Sequence, residues 1–222
     1  VNNMNNTNIE PLLKRAFMFL EDGDFARADE FCEQVLNIDP ECAEAYLGKV
    51  MVNMNIRKLD DLGRGKTYFN KNLNYEKAYR FADSELRAKL DGYMLSVDKN
   101  INEEIYVKSV EVYKTTTSVE ILSELAEVFK SISGYKDADN YVVLCGQKSE
   151  AIKKDEILSS AKLKMQHNRI TDYEVAIELL TKIPDWKDAG QCISECKIKN
   201  EEIKAEKKRE AEIESKRAEK QK

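Results

Sequence analysis

The chain has 222 residues, a formal net charge of −5 at pH 7, and charged residues at 35% of its composition. The negative charge disfavours a general nucleic-acid binder, which normally carries a basic face. Hydrophobic residues, at 42%, still provide enough apolar surface for a folded core. Proline and glycine are scarce, at 3 and 8 residues, and this favours long helices over a turn-rich sandwich or barrel.

The sequence also bears on localisation. No run approaches the roughly 18 consecutive apolar residues that span a bilayer, and the polar start VNNMNNTNIE is not a secretory signal. The five cysteines are odd in number and are expected to be reduced thiols. We therefore expect a cytoplasmic protein, or the cytoplasmic face of a membrane-anchored one. From the start at Val1 and the charged end we expect a piece of a longer protein, although an expression scar would also explain Val1.

Residues 1–8 are Asn-rich and predict a flexible leader, and helices follow over residues 9–57. The first helix is predicted from apolar residues spaced three and four apart. Gly23 ends it and Asp24 caps the second helix. The third helix is predicted from about Glu41 to about Arg57, because Asp39-Pro40 before it suits a first helical turn.

Residues 58–74 lose the helical periodicity and hold two glycines and three asparagines, so they predict a loop, or a loop with a short helical turn. Residues 75–118 predict a helical hairpin, interrupted between residues 97 and 102. The polar run that ends this segment predicts the start of the next helix, because Thr117 and Glu120 have the spacing of a capping box.

An internal repeat occupies residues 119–199. The segments SELAEVFKSISGYKDADNYVVLCGQK and EVAIELLTKIPDWKDAGQCISECKIK align at an offset of 51 residues, so Tyr135 matches Trp186. Each copy predicts a helix, a tight break and a second helix, with the aromatic residue wedged between the two. In the second copy, Asp185 is the predicted cap and Trp186 lies in the first turn, with Asp188 three residues after the cap.

Residues 200–222 have few apolar residues, and Glu alternates with Lys or Arg in short blocks. Pairs four apart, such as Glu212 and Lys216, support a solvated helix. No heptad seam persists, so a coiled coil is not predicted. The segment predicts a protruding helix or stalk.

Residues 9–57 resemble one tetratricopeptide repeat followed by the first helix of another. Tyr46 lies 34 residues after Leu12, which is the period of that repeat. The small, aromatic and proline positions of the pattern are occupied by Ala16, Phe19, Gly23, Phe25, Ala28 and Pro40. The resemblance implies an all-α fold in which helical hairpins stack into a curved right-handed array, an α-solenoid.

Most of residues 9–210 also resembles a group of bacterial repeat proteins common in Firmicutes. These proteins combine a leading repeat of this type with later YKDA or WKDA units and a charged helical tail. In the group a zinc ribbon often precedes the repeats, and a membrane helix can follow the tail. The group has no settled function to carry over.

The tetratricopeptide resemblance implies a concave groove lined by the first helix of each repeat. By the family's geometry, its lining residues are Lys14, Phe17, Glu21, Met51, Met54 and Asn55. A groove of this kind binds an extended or helical peptide, and methionines adapt to varied partners. The clamp by which chaperone-binding members hold a C-terminal carboxylate is absent, because Leu13 and Phe17 replace its Lys and Asn.

Three motifs resemble nucleotide-binding, metal-binding or catalytic sites, but each is better explained by a structural role. Gly65-Lys66-Thr67 echoes a phosphate-binding loop, but Asp60 stands where that loop needs a glycine. Cys192 and Cys196 lie four apart, but the single histidine leaves no usual zinc set, so we interpret these thiols as small buried hydrophobes. His167 is interpreted as a helix-end residue.

The predicted function is therefore protein–protein interaction, in which a scaffold binds a peptide segment of a partner protein. The alternative is a structural helical spacer, or a juxtamembrane stalk, between the flanking domains of a longer protein. The sequence has no dinucleotide fingerprint, nucleophile elbow or HExxH motif. We accordingly expect no enzyme activity, no catalytic residue, no metal and no cofactor.

Overall fold

The computed structural model describes residues 6–219, with side chains for residues 9–218. Over these residues the fold is all-helical, and no strand occurs. The helices are α1 Asn6–Asp22, α2 Phe25–Ile38, α3 Ala43–Asn53, α4 Leu73–Phe81, α5 Ser84–Thr115, α6 Val119–Ser131, α7 Ala138–Met165, α8 Ile170–Leu180 and α9 Ala189–Glu219, with a 3-10 helix at Leu59–Arg64. The helices divide into two compact units, and the boundary between Lys108 and Ser109 lies within α5.

At the two ends of the chain, the predicted leader and tail extend beyond the described residues. Helix α1 begins at Asn6, so residues 6–8 of the predicted leader are helical, and residues 1–5 lie outside the described part. The charged tail is helical through Glu219, and residues 220–222 lie outside the described part. No helix within residues 6–219 has the length and apolar character that crossing a bilayer requires.

In unit 1, helices α1 to α4 pack in succession, and α1 also contacts α3. Helix α1 ends as predicted: Gly23 has φ 81°, and the amides of Gly23 and Asp24 donate to the carbonyls of Leu20 and Phe19. The Asp24 carboxylate then accepts from the Arg27 amide at 3.2 Å, which confirms it as the cap of α2.

The segment between α3 and α4 is partly buried rather than a surface loop. Leu62 and Phe69 are 1% and 2% exposed and belong to the hydrophobic core of unit 1. The Asn100 amide donates to the carbonyls of Gly63 and Gly65, both at 3.1 Å. These contacts attach the segment to α5, and the 3-10 helix at Leu59–Arg64 is the short helical turn that the sequence allowed within this loop.

The predicted interruption between residues 97 and 102 is wrong, because α5 runs unbroken through it. The break falls instead at Ala82-Asp83, where Ala82 is extended at φ −60° and ψ 143°. The Asp83 carboxylate accepts from the Leu86 amide at 2.8 Å and so caps α5. A polar stretch does not end a helix when its buried face continues, and Val97 is fully buried.

The cap of α6 is also one residue away from the prediction. Ser118, not Thr117, is the N-cap, and its hydroxyl accepts from the Ile121 amide at 3.2 Å. Either hydroxyl suits a helix start, so the side chain alone could not decide the register. Thr116 is 8% exposed, and its hydroxyl accepts from the Ser118 amide.

Unit 2 contains two hairpins, α6–α7 and α8–α9, and α8 packs against α7 as well as α9. Each hairpin has a short first helix and a long second one. The apolar positions that are 51 residues apart are buried in both copies, namely Phe129 and Leu180, Ile132 and Ile183, Ala138 and Ala189, and Cys145 and Cys196. The two copies therefore bury the same face.

Candidate functional site

The α1 side of the predicted groove is accessible in part. Lys14 and Glu21 are exposed, so their charges are available to a partner. Phe17 is half-buried and packs against the core of unit 1. Its ring therefore supports the fold as well as any contact surface.

Met51 cannot line a groove, because its side chain is fully buried. It belongs to the same hydrophobic cluster as Leu62, Leu90 and Val97. The segment after α3 and helix α5 supply those residues, whereas the family geometry assumed that this face of α3 stays open. The prediction of Met51 as a ligand contact is thus wrong.

Met54 and Asn55 lie at the end of α3. Met54 is half-buried and Asn55 is exposed, with φ 54°. The Asn55 amide donates to the Val52 carbonyl at 3.1 Å, and the Ile56 amide donates to the Met51 carbonyl at 2.9 Å. This is the hydrogen-bond pattern of a left-handed helix end, and asparagine tolerates it. The geometry thus gives Asn55 a structural role.

Gly65 and Lys66 of the Gly65-Lys66-Thr67 motif make ordinary structural contacts with α5. The Lys66 ammonium lies 2.9 Å from Glu104, which also pairs with Lys108. Hydrogen bonds from Lys108 and Lys66 lower the pKa of Glu104 to about 2. A cleft of about 420 Å³ opens here, lined by Lys66, Asn100, Glu103, Glu104, Val107 and Lys108.

The thiols lie in apolar surroundings, as the packing interpretation predicted. Cys192 and Cys196 are members of the unit 2 hydrophobic cluster, at 5% and 0% exposure. Burial raises the pKa of both thiols, and it raises that of Cys32 in unit 1 to about 12. Since the thiolate is the nucleophilic form, these groups are poorly suited to covalent chemistry.

His167 lies in the turn after α7, with a half-exposed ring. Its Nδ1 lies 3.5 Å from Asp172 Oδ1, and Arg169 Nε lies 2.5 Å from Asp172 Oδ2. Hydrogen bonding to Arg169 is the largest cause that lowers the pKa of Asp172. The cluster ties the turn to the start of α8 and presents no nucleophile.

The turns at YKDA and WKDA, which we call the KDA turns, share two backbone features. Lys136 and Lys187 each have φ 49°, in the left-handed region. The backbone amides of Tyr135 and Trp186 donate to the carbonyls three residues earlier, each at 3.0 Å. Both aromatic side chains are half-buried. This equivalence follows the 51-residue repeat.

The predicted capping of the second KDA turn needs correction. Helix α9 begins at Ala189, so Trp186 precedes the helix rather than lying in its first turn. Asp188 occupies the N-cap position, since its carbonyl accepts the first intrahelical bond from Cys192 at 3.0 Å. Asp185 is exposed before the turn.

Trp186 joins its hairpin to α7 of the preceding one. Its indole N–H donates to Asp155 of α7 at 2.8 Å, and the Lys187 ammonium lies 2.5 Å from the same carboxylate. Asp188 completes the junction by accepting from Lys162 of α7 at 2.6 Å. We call these five side chains the hairpin junction.

Sequence reasoning found the turn residues of the hairpin junction but not Asp155 and Lys162. The repeat marked Trp186, Lys187 and Asp188, because they recur as Tyr135, Lys136 and Asp137. Their partners lie in a charge-rich helix where acids and lysines are common. The available signal is their spacing: Asp155 and Lys162 lie seven residues apart and therefore on one face of α7. The carboxylate matches Trp186 and Lys187, and the lysine matches Asp188.

A second cleft, the Trp186 cleft, lies beside the junction and has a volume of about 260 Å³. Its lining residues are Lys154, Lys182, Ile183, Pro184, Asp185 and Trp186. The Lys154 ammonium lies 5.2 Å from the indole centroid, within cation–π range. The cleft therefore combines a half-buried aromatic ring with two cations and one carboxylate.

Comparison of the chain with protein-family models, with curated proteins and with solved structures found no match. Function must therefore be inferred from the chain's own residues. The geometry offers a remaining α1 surface in unit 1, the hairpin junction, and the Trp186 cleft in unit 2.

Proposed function

We propose that this protein is a helical-repeat scaffold that binds segments of partner proteins. The observation that carries the proposal is the hairpin junction together with the repeated buried face. In unit 2 the recurring residues fill the interior or connect α8–α9 to α7. Residues used in this way stack hairpins on each other, and stacked hairpins expose extended surfaces for binding. The scaffold performs no chemical step.

The packing order in unit 1 supports a tetratricopeptide-like arrangement. Helices α1 and α2 pack together, α2 packs on α3, and α3 packs on α4. In that arrangement α4 is the second helix of the second repeat, and the segment between α3 and α4 is an insertion between the two helices of that repeat. The α1–α3 contact agrees with adjacent first helices in such an array.

The binding surface that we propose in unit 1 consists of Lys14, Phe17 and Glu21 on α1 and Met54 after α3. Met51 is left out because it is buried. A peptide of a partner protein would pair its charges with Lys14 and Glu21 and cover the exposed part of Phe17. Because the area is small and the peptide loses entropy on ordering, we expect roughly micromolar affinity.

The test is capture of partners from native cell extract by the full chain, followed by charge reversal at the proposed surface. The double variant Lys14→Glu, Glu21→Lys changes exposed residues only, so the fold should persist. The matched control Lys71→Glu, Glu76→Lys makes the same two changes elsewhere on unit 1, also at exposed positions. We expect the first variant alone to lose specific partners. If both variants retain every partner, α1 is not the binding surface.

A structural spacer remains the second candidate, and α9 is the observation that favours it. Side chains over residues 201–218 are almost all exposed, and ion pairs join Lys199 to Glu202 and Lys204 to Glu201. Such pairs support a helix without tertiary packing. A peptide covering residues 199–219 should show helical circular dichroism that falls as salt increases. A disordered peptide would argue against a rigid spacer.

A further inference from the structure

We propose that the Trp186 cleft binds an acidic peptide segment of a partner protein. The inference rests on the proposed scaffold function, because it names a surface and the chemistry of the partner. The cleft belongs to unit 2 and the proposed α1 surface to unit 1, and they share no residue, so each can be tested without the other.

The cations of the cleft are available to a ligand. Within residues 9–218, neither Lys154 nor Lys182 has a carboxylate within salt-bridge distance. The neighbouring acids are already engaged: Asp155 accepts from Trp186 and Lys187, and Asp188 accepts from Lys162. An arriving carboxylate would therefore find two cations that the junction leaves uncompensated.

The ring position is fixed before any ligand arrives. The indole N–H is held by Asp155 at 2.8 Å, and Lys154 lies over the ring at 5.2 Å from its centroid. Pro184 and Ile183 add apolar surface to the same cleft. A preorganised aromatic and proline surface suits the aliphatic part of a peptide and reduces the entropy lost on binding.

Three of the cleft residues are not shared by the first copy, so the repeat does not need them in order to fold. At the offset of 51 residues, Lys154 matches Glu103 and Lys182 matches Ser131. Pro184 likewise matches Ser133. The first copy has the same left-handed lysine and the same backbone hydrogen bond from its aromatic residue without these residues. Neither lysine is therefore required to form the turn.

Charge complementarity decides the class of partner. The lining has two lysines and one aspartate, so it favours an anionic ligand, while Asp185 on the same rim weakens that preference. The volume of about 260 Å³ accommodates one or two side chains rather than a folded surface. An acidic segment with an aliphatic residue between glutamates satisfies both the charge and the apolar lining.

Trp186 is the only tryptophan of the chain, so its fluorescence reports directly on the cleft. The probe is a blocked peptide in which glutamate and leucine alternate, titrated into the full chain at low salt. We expect a saturable change in emission, weakened about two- to five-fold by Lys154→Gln or Lys182→Gln, as for a single exposed ion pair. Asp185→Asn should tighten binding by a similar factor.

Two controls keep the result specific. Lys197→Gln removes one exposed charge from α9 and should leave the titration unchanged, and the glutamine version of the probe should not bind. Circular dichroism melts confirm that each variant is folded. No saturable change, or equal effects of Lys154→Gln and Lys197→Gln, would overturn the proposal without touching partner binding at α1. Saturation by inorganic phosphate with none by the peptide would also overturn it.

Discussion

Gly48 shows how one residue sets the distance between two helices. A Cβ added at Gly48 on α3 would lie 2.6 Å from Cys32 Sγ on α2. Real carbon and sulfur atoms do not approach so closely, and both residues are buried. A dense interior has little room to relax around an added methyl group. Close approach, not backbone flexibility, therefore explains this glycine.

The change Gly48→Ala should lower the free energy of unfolding by about 1–3 kcal/mol, as overpacking does. Urea denaturation followed by circular dichroism measures it. The matched control is Gly92→Ala in α5, where an added Cβ meets no atom within 4 Å. That variant should gain about 0.5–1 kcal/mol from helix propensity. Adding Cys32→Ala should relieve much of the Gly48→Ala loss, and no relief would contradict the assigned clash.

Lys49 connects α2 and α3 through charge. Its side chain is 15% exposed and its ammonium contacts Asp29 at 2.7 Å and also Glu33. Burial alone would lower the pKa of Lys49, but hydrogen bonds from the ammonium to Asp29 and Glu33 outweigh burial and raise it. Because the pKa is raised in the folded state, the ion pairs stabilise the fold at any pH below the pKa of the unfolded chain. This stabilisation is lost as the pH rises through the pKa of the folded state.

We expect Lys49→Met to cost about 1 kcal/mol or less at neutral pH, because both acids are about half exposed and can be rehydrated. The difference from the parent chain should shrink as pH rises through the raised pKa of Lys49. Denaturation curves at neutral and strongly alkaline pH measure this difference. A constant difference would show that packing of the lysine stem, and not its charge, is what matters.

At the scale of elements, the hairpin junction determines how α8–α9 attaches to α7. A buried apolar seam holds the hairpins together, with Leu158 and Ala161 of α7 in the same cluster as Tyr173 and Ala176 of α8. The polar contacts of Trp186, Lys187 and Asp188 lie at its edge. The apolar seam attaches the α8–α9 hairpin to α7, and the directional hydrogen bonds of the junction favour one orientation between them.

Trp186→Ala should lower the free energy of unfolding by about 1–3 kcal/mol, below the range for a fully buried aromatic residue, because the ring is only half-buried. Trp186→Phe keeps the ring but removes the donor to Asp155, and should cost about 1 kcal/mol. Thermal denaturation followed by circular dichroism measures both. An alanine variant that melts like the parent would show that the junction does not stabilise the fold.

The junction should weaken in acid. Hydrogen bonds from Lys187 and Trp186 lower the pKa of Asp155, and one from Lys162 lowers that of Asp188. A lowered folded-state pKa means that the contribution is present above the unfolded value of 3.8, and is lost as pH falls through the folded one. Stability at pH 7 and near pH 3 should differ less in Asp155→Asn, Asp188→Asn than in the parent. An equal difference would assign the acid sensitivity to other carboxylates.

At the scale of the whole molecule, the two units do not meet at a loop. The boundary falls inside α5, between Lys108 and Ser109, and the last turns of α5 serve unit 2. The Tyr113 ring packs edge-on against Tyr141 at 5.2 Å between centroids, and Lys148 donates to the Tyr113 carbonyl at 2.6 Å. A unit boundary can therefore be hidden inside one uninterrupted helix.

A fragment that starts at Ser109 should fold and melt cooperatively, whereas one that starts at Ser118 should lose about 1–2 kcal/mol, because it lacks the Tyr113 contacts. Circular dichroism and Trp186 emission follow the two transitions. Equal stability of the two fragments would show that the end of α5 contributes nothing to unit 2. An unfolded Ser109 fragment would show that unit 2 does not fold alone.

The sequence by itself determined the features that depend on neighbouring residues. Helical periodicity identified the all-helical class, and Gly23 with Asp24 identified one helix end and the next start, because caps act within one turn. The 51-residue repeat identified the matching KDA turns. These signals are local or periodic, so they survive without knowledge of the tertiary fold.

The tertiary structure alone decided which faces are covered. Met51 is buried because α3 packs against α1, α2 and α4 within the core of unit 1, and no local pattern records that packing. Asp155 is the partner of Trp186 because α7 passes beside the second KDA turn. In the sequence, Asp155 is only one of several acidic residues on that helix. Burial and pairing between residues far apart in sequence depend on how the helices pack. For that reason the sequence could not show that Met51 is buried, and it could not identify the hairpin junction or the Trp186 cleft.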